Sequence, residues 1–158
     1  MVKEVKTQDK LIFSHEKEIH FKNKMQSNCG TNWKPKGLYY SFGNEWINWV
    51  EYNMPQWEKN YPYTHKIEID RSKILVLGKD ISYSDFDEKY GDFKYSFNDK
   101  VPGGIKWLKV MIDLKKQDKH GIKIDCPFGP IGSWLRTWDI SSGCIWNKRA
   151  IKSIKRIK

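Results

Sequence analysis

The sequence predicts an α+β fold in which a small, split or bent and mainly antiparallel β-sheet is flanked by helices. Segments with alternating apolar residues, such as Tyr63–Ile69, have the period of a half-buried strand. Between such segments lie apolar stretches that suit buried helices, as in Ile105–Leu114. The 158 residues are enough for one domain with a sizeable core. We therefore predict a single domain over 1–158, with its core at about 11–151 and a basic C-terminal segment at 148–158.

The strands are predicted from short apolar runs bounded by turn-forming residues. Leu11–Ser14 is the first strand. Gly37–Ser41 is the second, because a small residue opens it and a hydroxyl residue ends it. Asp70–Ser72 turns the chain between two later strands. The other predicted strands are 63–69, 73–77, 121–124, 133–138 and 143–146.

Helices are predicted between these strands. One runs from Asn44, a good N-cap residue, to about Tyr52 and ends before Pro55. Another is capped by Ser82 or Ser84 and ends at Gly91. The remaining helices are predicted at 16–26 and 105–114, and loops at 92–104 and 127–132.

The C-terminal segment is the densest basic run of the chain. Its apolar residues Ile151, Ile154 and Ile157 recur every three positions. This spacing favours an amphipathic turn or helix over a loose tail.

The charge of the chain bears on its partners. The sequence has 29 Lys and Arg against 19 Asp and Glu, a formal net charge of +10. Such an excess favours phosphate-rich partners through counterion release. A lysine-biased genome gives the same composition without nucleic-acid binding. A nucleic acid or an acidic protein is therefore the expected partner class, and the oligomeric state is left open.

Composition also bears on compartment and cofactors. No apolar run approaches the roughly 18 residues of a transmembrane helix, and residues 1–6 lack the apolar core of a signal peptide. Cys29, Cys126 and Cys144 form no CxxC pair, which argues against a disulfide scaffold or a structural zinc site. We expect a cytoplasmic protein that has no membrane contact and no bound metal.

The stretch that follows Lys36 is the most informative for function. Tyr39 and Ser41 lie two positions apart on a predicted strand, so both side chains point to one face. The next helix carries Trp46 and Trp49. A phenol, a hydroxyl and an indole around one strand end suit the stacking of a flat heterocycle and hydrogen bonding to its polar edge. The same residues are also typical of an aromatic core strand with its packing helix.

Standard catalytic motifs give no guide to the chemistry. The sequence contains no P-loop and no GxGxxG, HExxH or GxSxG motif. Asp139, between Trp138 and Ile140, is the carboxylate that we expect to be most buried. Burial would raise its pKa and make it a candidate site residue, although an aspartate there is more often in a turn or a cap.

The order of elements resembles that of the ADP-ribosyltransferase superfamily, which includes diphtheria-toxin-like and poly-ADP-ribose-polymerase branches. Gly37–Ser41 and the helix after it match a strand of the type Gly-apolar-Tyr-x-hydroxyl, and 11–15 matches a first strand that ends in histidine. The ending at 138–147 is similar to that of uncharacterised phage-type proteins. The resemblance spans about 11–151 and implies a transferase-like fold with NAD as substrate.

The resemblance also implies roles for individual residues on the nucleotide-binding side. His15 would hydrogen-bond the adenosine ribose, and Tyr39 would stack on nicotinamide. Ser41 belongs to the same cofactor-binding strand. Trp46 or Trp49 would form a wall of the pocket.

The catalytic side of the resemblance departs from the family pattern. Where the family usually has Glu or Gln on its last catalytic strand, this sequence has Ser142. Serine has no charge and cannot stabilise a cationic transition state comparably. The resemblance therefore leaves two alternatives: the acid is Asp139 or Asp125, or the fold binds a nucleotide without transferring it.

Three functions follow as hypotheses. The first is an ADP-ribosyltransferase-like enzyme that uses NAD to modify a nucleic acid or a protein, as a phage or viral factor. The second is a catalytically inactive nucleotide-binding protein of the same fold. The third is a basic, aromatic domain that binds nucleic acid by stacking and by lysine contacts to phosphates.

Overall fold

A mixed sheet of seven strands organises the molecule, described here from a computed structural model. The structure describes residues 6, 8–28, 33–94, 96, 100–125, 129 and 132–158. Its strands are β1 (Lys10–Ser14), β2 (Leu38–Phe42), β3 (Tyr63–Ile69), β4 (Leu75–Leu77), β7 (Gly121–Ile124), β8 (Ser142–Ile145) and β9 (Ile151–Arg156). The strand order is β4-β7-β8-β2-β1-β3-β9, and every neighbouring pair is antiparallel except β4 with β7.

Helices and a small second sheet complete the described fold. The α-helices are α1 (Glu45–Asn53), α2 (Tyr83–Tyr90) and α3 (Trp107–Lys115). The second sheet pairs β5 (Gly91–Asp92) with β6 (Gly104–Ile105). The predicted α+β class is therefore confirmed. Four short 3-10 helices lie at Pro55–Asn60, Arg71–Lys73, Trp134–Thr137 and Lys148–Ala150.

The sheet has apolar clusters on both faces. On one face, β4, β7 and β8 pack against α2, α3 and the 3-10 helix Trp134–Thr137. The rings of Trp107 and Trp134 meet edge to face in this cluster, at 5.7 Å between centroids. On the other face, Tyr40 is buried among isoleucines of β1, β3 and β8. Large aromatic side chains thus provide much of the buried area, as their size predicts.

Two helix starts illustrate how the local sequence sets an element. The Ser82 hydroxyl accepts a hydrogen bond from the Asp85 N–H at 3.0 Å, so the predicted cap of α2 is present. Asn44 precedes α1 as predicted, but its side chain makes no capping hydrogen bond.

The segment 16–26 is not the helix that the sequence predicts. Its polar groups bond to distant parts of the chain instead of to the preceding helical turn. The Lys24 N–H donates to the Trp146 carbonyl at 2.8 Å, and the Gln26 side chain forms two hydrogen bonds with the Lys36 backbone. These long-range bonds replace the helical ladder.

The C-terminal segment is a strand, so the predicted turn or helix is wrong. β9 pairs with β3, and a bulge follows the pair Glu68–Ser153. Because of the bulge, Ile151 lies opposite Ile69 while Ile154 lies opposite Ile67. Residues three positions apart therefore lie on the same face of the sheet, whereas a regular strand places residues on one face only at even spacings.

Three smaller predictions also change. The predicted strand 133–138 is the 3-10 helix Trp134–Thr137, which begins where the Ser133 hydroxyl accepts from the Leu135 N–H. The predicted loop 92–104 contains parts of β5 and β6 at its ends. The predicted loop 127–132 lies mostly outside the described residues, as do Cys29 and Cys126.

Candidate functional site

A cleft lies on one face of the sheet beside β2, and we call it the Tyr39 cleft. The pairing of β2 with β8 sets Ser41 opposite Ser142 and Tyr39 opposite Cys144, so these four side chains share a face. The cavity has a volume of about 270 Å³. It is lined by Leu11, Phe13, Lys34, Tyr39, Tyr40, Ser41, Trp46, Tyr61, Asp139, Ile140 and Ser142.

Tyr39 forms an aromatic wall of the cleft. Its ring is tilted against that of Trp138 at 5.7 Å between centroids, and its hydroxyl donates to the Pro35 carbonyl. Burial, with a smaller contribution from the neighbouring Cys144, raises the pKa of the phenol far above its ordinary value. Tyr39 is therefore neutral at physiological pH and can stack on a ligand, but it cannot act as a base there.

A buried thiol lies beneath Tyr39. Cys144 has no exposed surface, and burial strongly raises its pKa, although Tyr39 and Lys34 act in the opposite direction. The thiolate needed for nucleophilic chemistry is thus disfavoured. Gly37 comes so close that a Cβ there would lie 2.6 Å from the sulfur. Cys144 is therefore a packing residue of the buried core cluster beside the cleft.

One cation and one carboxylate flank the cleft. The Lys34 ammonium lies 5.8 Å from the Tyr39 ring centroid and 5.6 Å from that of Trp138. Lys34 is exposed as a whole residue, but its ammonium is partly desolvated. Desolvation lowers the pKa of Lys34, and the negative charge of Asp139 raises it by less. Asp139 itself is exposed, so the expected burial of this carboxylate is wrong.

One indole of a stacked pair from α1 also lines the cleft. Trp46 lines the cleft, and its ring is nearly parallel to that of Trp49, with 5.2 Å between centroids and 9° between planes. Tyr61 meets Trp46 edge to face at 6.2 Å, and Trp57 extends the row beyond Trp49 at 6.5 Å. Trp49 and Tyr61 therefore hold the Trp46 ring in place, and Trp46 can present an aromatic surface to a ligand.

The cleft brings together five of the residues that the sequence singled out: Tyr39, Ser41, Trp46, Asp139 and Ser142. Trp49 supports Trp46 from outside the lining. His15 is not among the lining residues, and its side chain is 78% exposed beside Glu16. Asp125 is likewise outside, on the other face of the sheet.

Six lining residues were not predicted as site residues: Leu11, Phe13, Lys34, Tyr40, Tyr61 and Ile140. Lys34, Phe13 and Tyr61 come from separate segments that meet only in the folded chain. Phe13 lies two positions after Leu11 on β1, so both side chains point to the same face of the sheet. This period was the one local signal for Phe13. No local pattern indicated Lys34 or Tyr61.

Protein-family models, curated proteins and solved structures gave no significant match to this chain. The described helices include none that is long and apolar enough to cross a membrane. Among the described residues, no group of three or more His, Cys, Asp or Glu side chains is arranged to hold a metal ion.

Proposed function

We propose that the Tyr39 cleft binds the nicotinamide end of NAD, and that the protein transfers the ADP-ribose part to an acceptor. The proposal is carried by one observation: aromatic surfaces from Tyr39 and Trp46 flank hydroxyls and a carboxylate in one cleft. Its volume of about 270 Å³ is at the small end of ligand pockets. It therefore suits one heterocycle with its ribose, and the rest of NAD would lie outside. The resemblance to the ADP-ribosyltransferase superfamily supports the same assignment.

The lining residues suggest how the reaction would be supported. Transfer breaks the bond between ribose C1′ and the nicotinamide nitrogen, and neutral nicotinamide leaves with the bonding electrons. The Asp139 carboxylate would stabilise the positive charge that develops on the ribose. An acceptor nucleophile then bonds to C1′ and releases its proton to solvent. Tyr39 would contribute by stacking, because its raised pKa keeps the phenol neutral.

A second candidate is NAD binding without transfer, and the residues of β8 favour it. Ser142 places a hydroxyl opposite Ser41, and its Oγ donates to the Ile140 carbonyl at 3.1 Å. β8 contains no carboxylate. The carboxylate of Asp139 is exposed, where water weakens its interaction with a cation.

Release of nicotinamide from NAD tests the chemistry. We expect Asp139→Asn to lower the rate by up to about 10²–10³, the effect of losing one electrostatic stabiliser in a site from which the bound ligand excludes water. Asp125→Asn is the matched control, because it removes another exposed carboxylate from outside the cleft. Loss of release in Asp125→Asn with normal release in Asp139→Asn would show that the assignment of the acid is wrong.

Binding is measured separately by the shift in melting temperature with NAD. Trp46→Ala should weaken binding by roughly 5- to 150-fold, because stacking on a base contributes about 1–3 kcal/mol. Trp57→Ala is its control, since Trp57 belongs to the same aromatic row but does not line the cleft. Binding without release favours the second candidate. If folded parent protein neither binds NAD nor releases nicotinamide, both candidates are wrong.

A further inference from the structure

A larger cavity, which we call the basic groove, lies on the face of the sheet opposite the Tyr39 cleft. Its volume is about 750 Å³. Side chains alternate along β2, so Phe42 lines the groove while its neighbour Ser41 faces the cleft. The basic residues along it are Lys10, Arg71, Lys79, Lys119 and Lys123.

The acidic side chains of the groove are already engaged with two of these lysines. Asp80 lies 3.6 Å from the Lys119 ammonium, and Asp125 lies 3.5 Å from that of Lys123. Asp80 also accepts the Val76 N–H at 2.7 Å. These carboxylates therefore leave part of the positive charge uncompensated.

Lys79 carries part of that uncompensated charge, and Lys10 and Arg71 carry the rest. Among the described residues, no carboxylate lies within ion-pair distance of the Lys10 or Arg71 side chain. The nearby Asp9 is bonded instead to the Lys66 ammonium at 3.3 Å and to the Lys6 N–H at 3.0 Å. Burial lowers the pKa of Lys10, the charges of Arg71 and Lys123 lower it further, and the charge of Asp9 raises it by less. An anion in the groove would relieve this repulsion.

We infer that the basic groove is a phosphate-binding site in which Lys10 and Arg71 contact phosphate oxygens, with Lys123 beside them as a further positive charge. Phosphate is favoured over a single carboxylate because three cations converge on one cavity and a phosphate chain carries several charges. Arg71 adds a planar fork of donors that matches phosphate geometry. Lys123 is held in place by the Phe42 ring, 4.9 Å from its ammonium. This inference goes beyond the proposed function and does not depend on it.

The phosphates can belong to a free polyphosphate or to a nucleic-acid strand, and two probes distinguish these sources. Tripolyphosphate is titrated calorimetrically, and a fluorescent oligothymidylate is titrated by polarisation, both at low salt. The test variant is Lys10→Gln with Arg71→Gln. The matched control, Lys152→Gln with Lys155→Gln, removes the same charge from exposed positions of β9 outside the groove.

We expect the test variant to bind about a hundredfold more weakly, because it loses two charge-assisted contacts to phosphate and each costs about tenfold. The control should stay within about twofold, the effect of net charge alone. Lys10→Arg should retain most of the affinity, since it keeps the charge. Thermal melting establishes that each variant is folded.

Each outcome decides the inference. If the parent protein binds tripolyphosphate and the test variant does not, free polyphosphate is a sufficient ligand. Binding of the oligonucleotide alone, lost in the same variant, identifies a nucleic-acid strand. Equal weakening in the test and control variants shows that net charge and not the groove is responsible, and overturns the inference. Absence of binding to both probes also overturns it. NAD appears in neither titration, so a failure here is distinct from a failure of the proposed function.

Discussion

Gly143 is the position at which we expect the smallest chemical change to have a large effect on stability. It lies on β8 directly opposite Tyr40 of β2, and the Tyr40 ring extends across it. A Cβ on Gly143 would overlap three atoms of this side chain, Cζ, Oη and Cε1. The Tyr40 side chain is only 3% exposed, so a shift of its ring would disturb the side chains packed around it.

The expected cost of Gly143→Ala follows from this overlap. Inserting carbon into a well-packed core usually costs about 1–3 kcal/mol, when neighbouring side chains leave their preferred rotamers. The overlap involves the ring itself and not the tip of a flexible chain. We therefore expect the upper part of the range, about 2–3 kcal/mol in the free energy of unfolding. For a chain of this size that corresponds to a fall in melting temperature of roughly 4–12 °C.

Urea denaturation of a double-mutant cycle tests the cause of this cost. Tyr40→Leu removes the three overlapping atoms, so Gly143→Ala should cost at least about 1 kcal/mol less in that background. The slope of the transition should stay constant, which shows that only stability has changed. An equal cost of Gly143→Ala in both backgrounds would refute the steric argument and indicate a backbone effect of glycine.

Two further predictions concern side chains that connect separate elements. Asp118 accepts hydrogen bonds from Lys73, from His120 at 2.6 Å and from Arg149 at 3.1 Å, and these hold its pKa well below the ordinary value. A lowered carboxylate pKa stabilises the fold above the unfolded value of about 3.9, and this contribution is lost as pH falls through the folded value. Melting curves from neutral to acidic pH should therefore fall less steeply for Asp118→Asn than for the parent. Trp134→Phe removes the indole N–H that donates to Asp87 at 2.7 Å, while burial already raises the pKa of that carboxyl. We expect a loss of about 1–3 kcal/mol in urea denaturation, and an unchanged midpoint would contradict this.

Local patterns predicted the parts of the fold that local forces determine. The alternation in Tyr63–Ile69 predicts a strand with one solvent-exposed face, and β3 has the same bounds. The hydroxyl of Ser82 marks the start of α2 because it bonds within one turn. By contrast, the three-residue spacing of Ile151 and Ile154 does not indicate a helix, because a bulge changes which residues share a face. A bulge depends on the partner strand, and no local sequence pattern identifies that partner.

The same distinction applies to the candidate site. That Tyr39 and Ser41 share a face follows from the period of a strand and needs no tertiary information. That Ser142 lies opposite Ser41 depends on the register between β2 and β8, which are a hundred positions apart in the chain. Lys34 was missed for a related reason: its position over two rings results from long-range packing. The exposure of Asp139, expected to be buried between Trp138 and Ile140, shows that apolar sequence neighbours do not bury a side chain by themselves.

The two cavities share β2, and this arrangement determines how their ligands should interact. Tyr39 and Ser41 face the cleft and Phe42 faces the groove, whereas Tyr40 contributes to the lining of both. A nicotinamide in the cleft and a phosphate in the groove would therefore be separated by the sheet, and we expect NAD and tripolyphosphate to bind without competing. If NAD displaced tripolyphosphate, its own pyrophosphate would have to reach Lys10 and Arg71. The cleft and the groove would then be two ends of one binding site, and the argument that they are independent would be wrong.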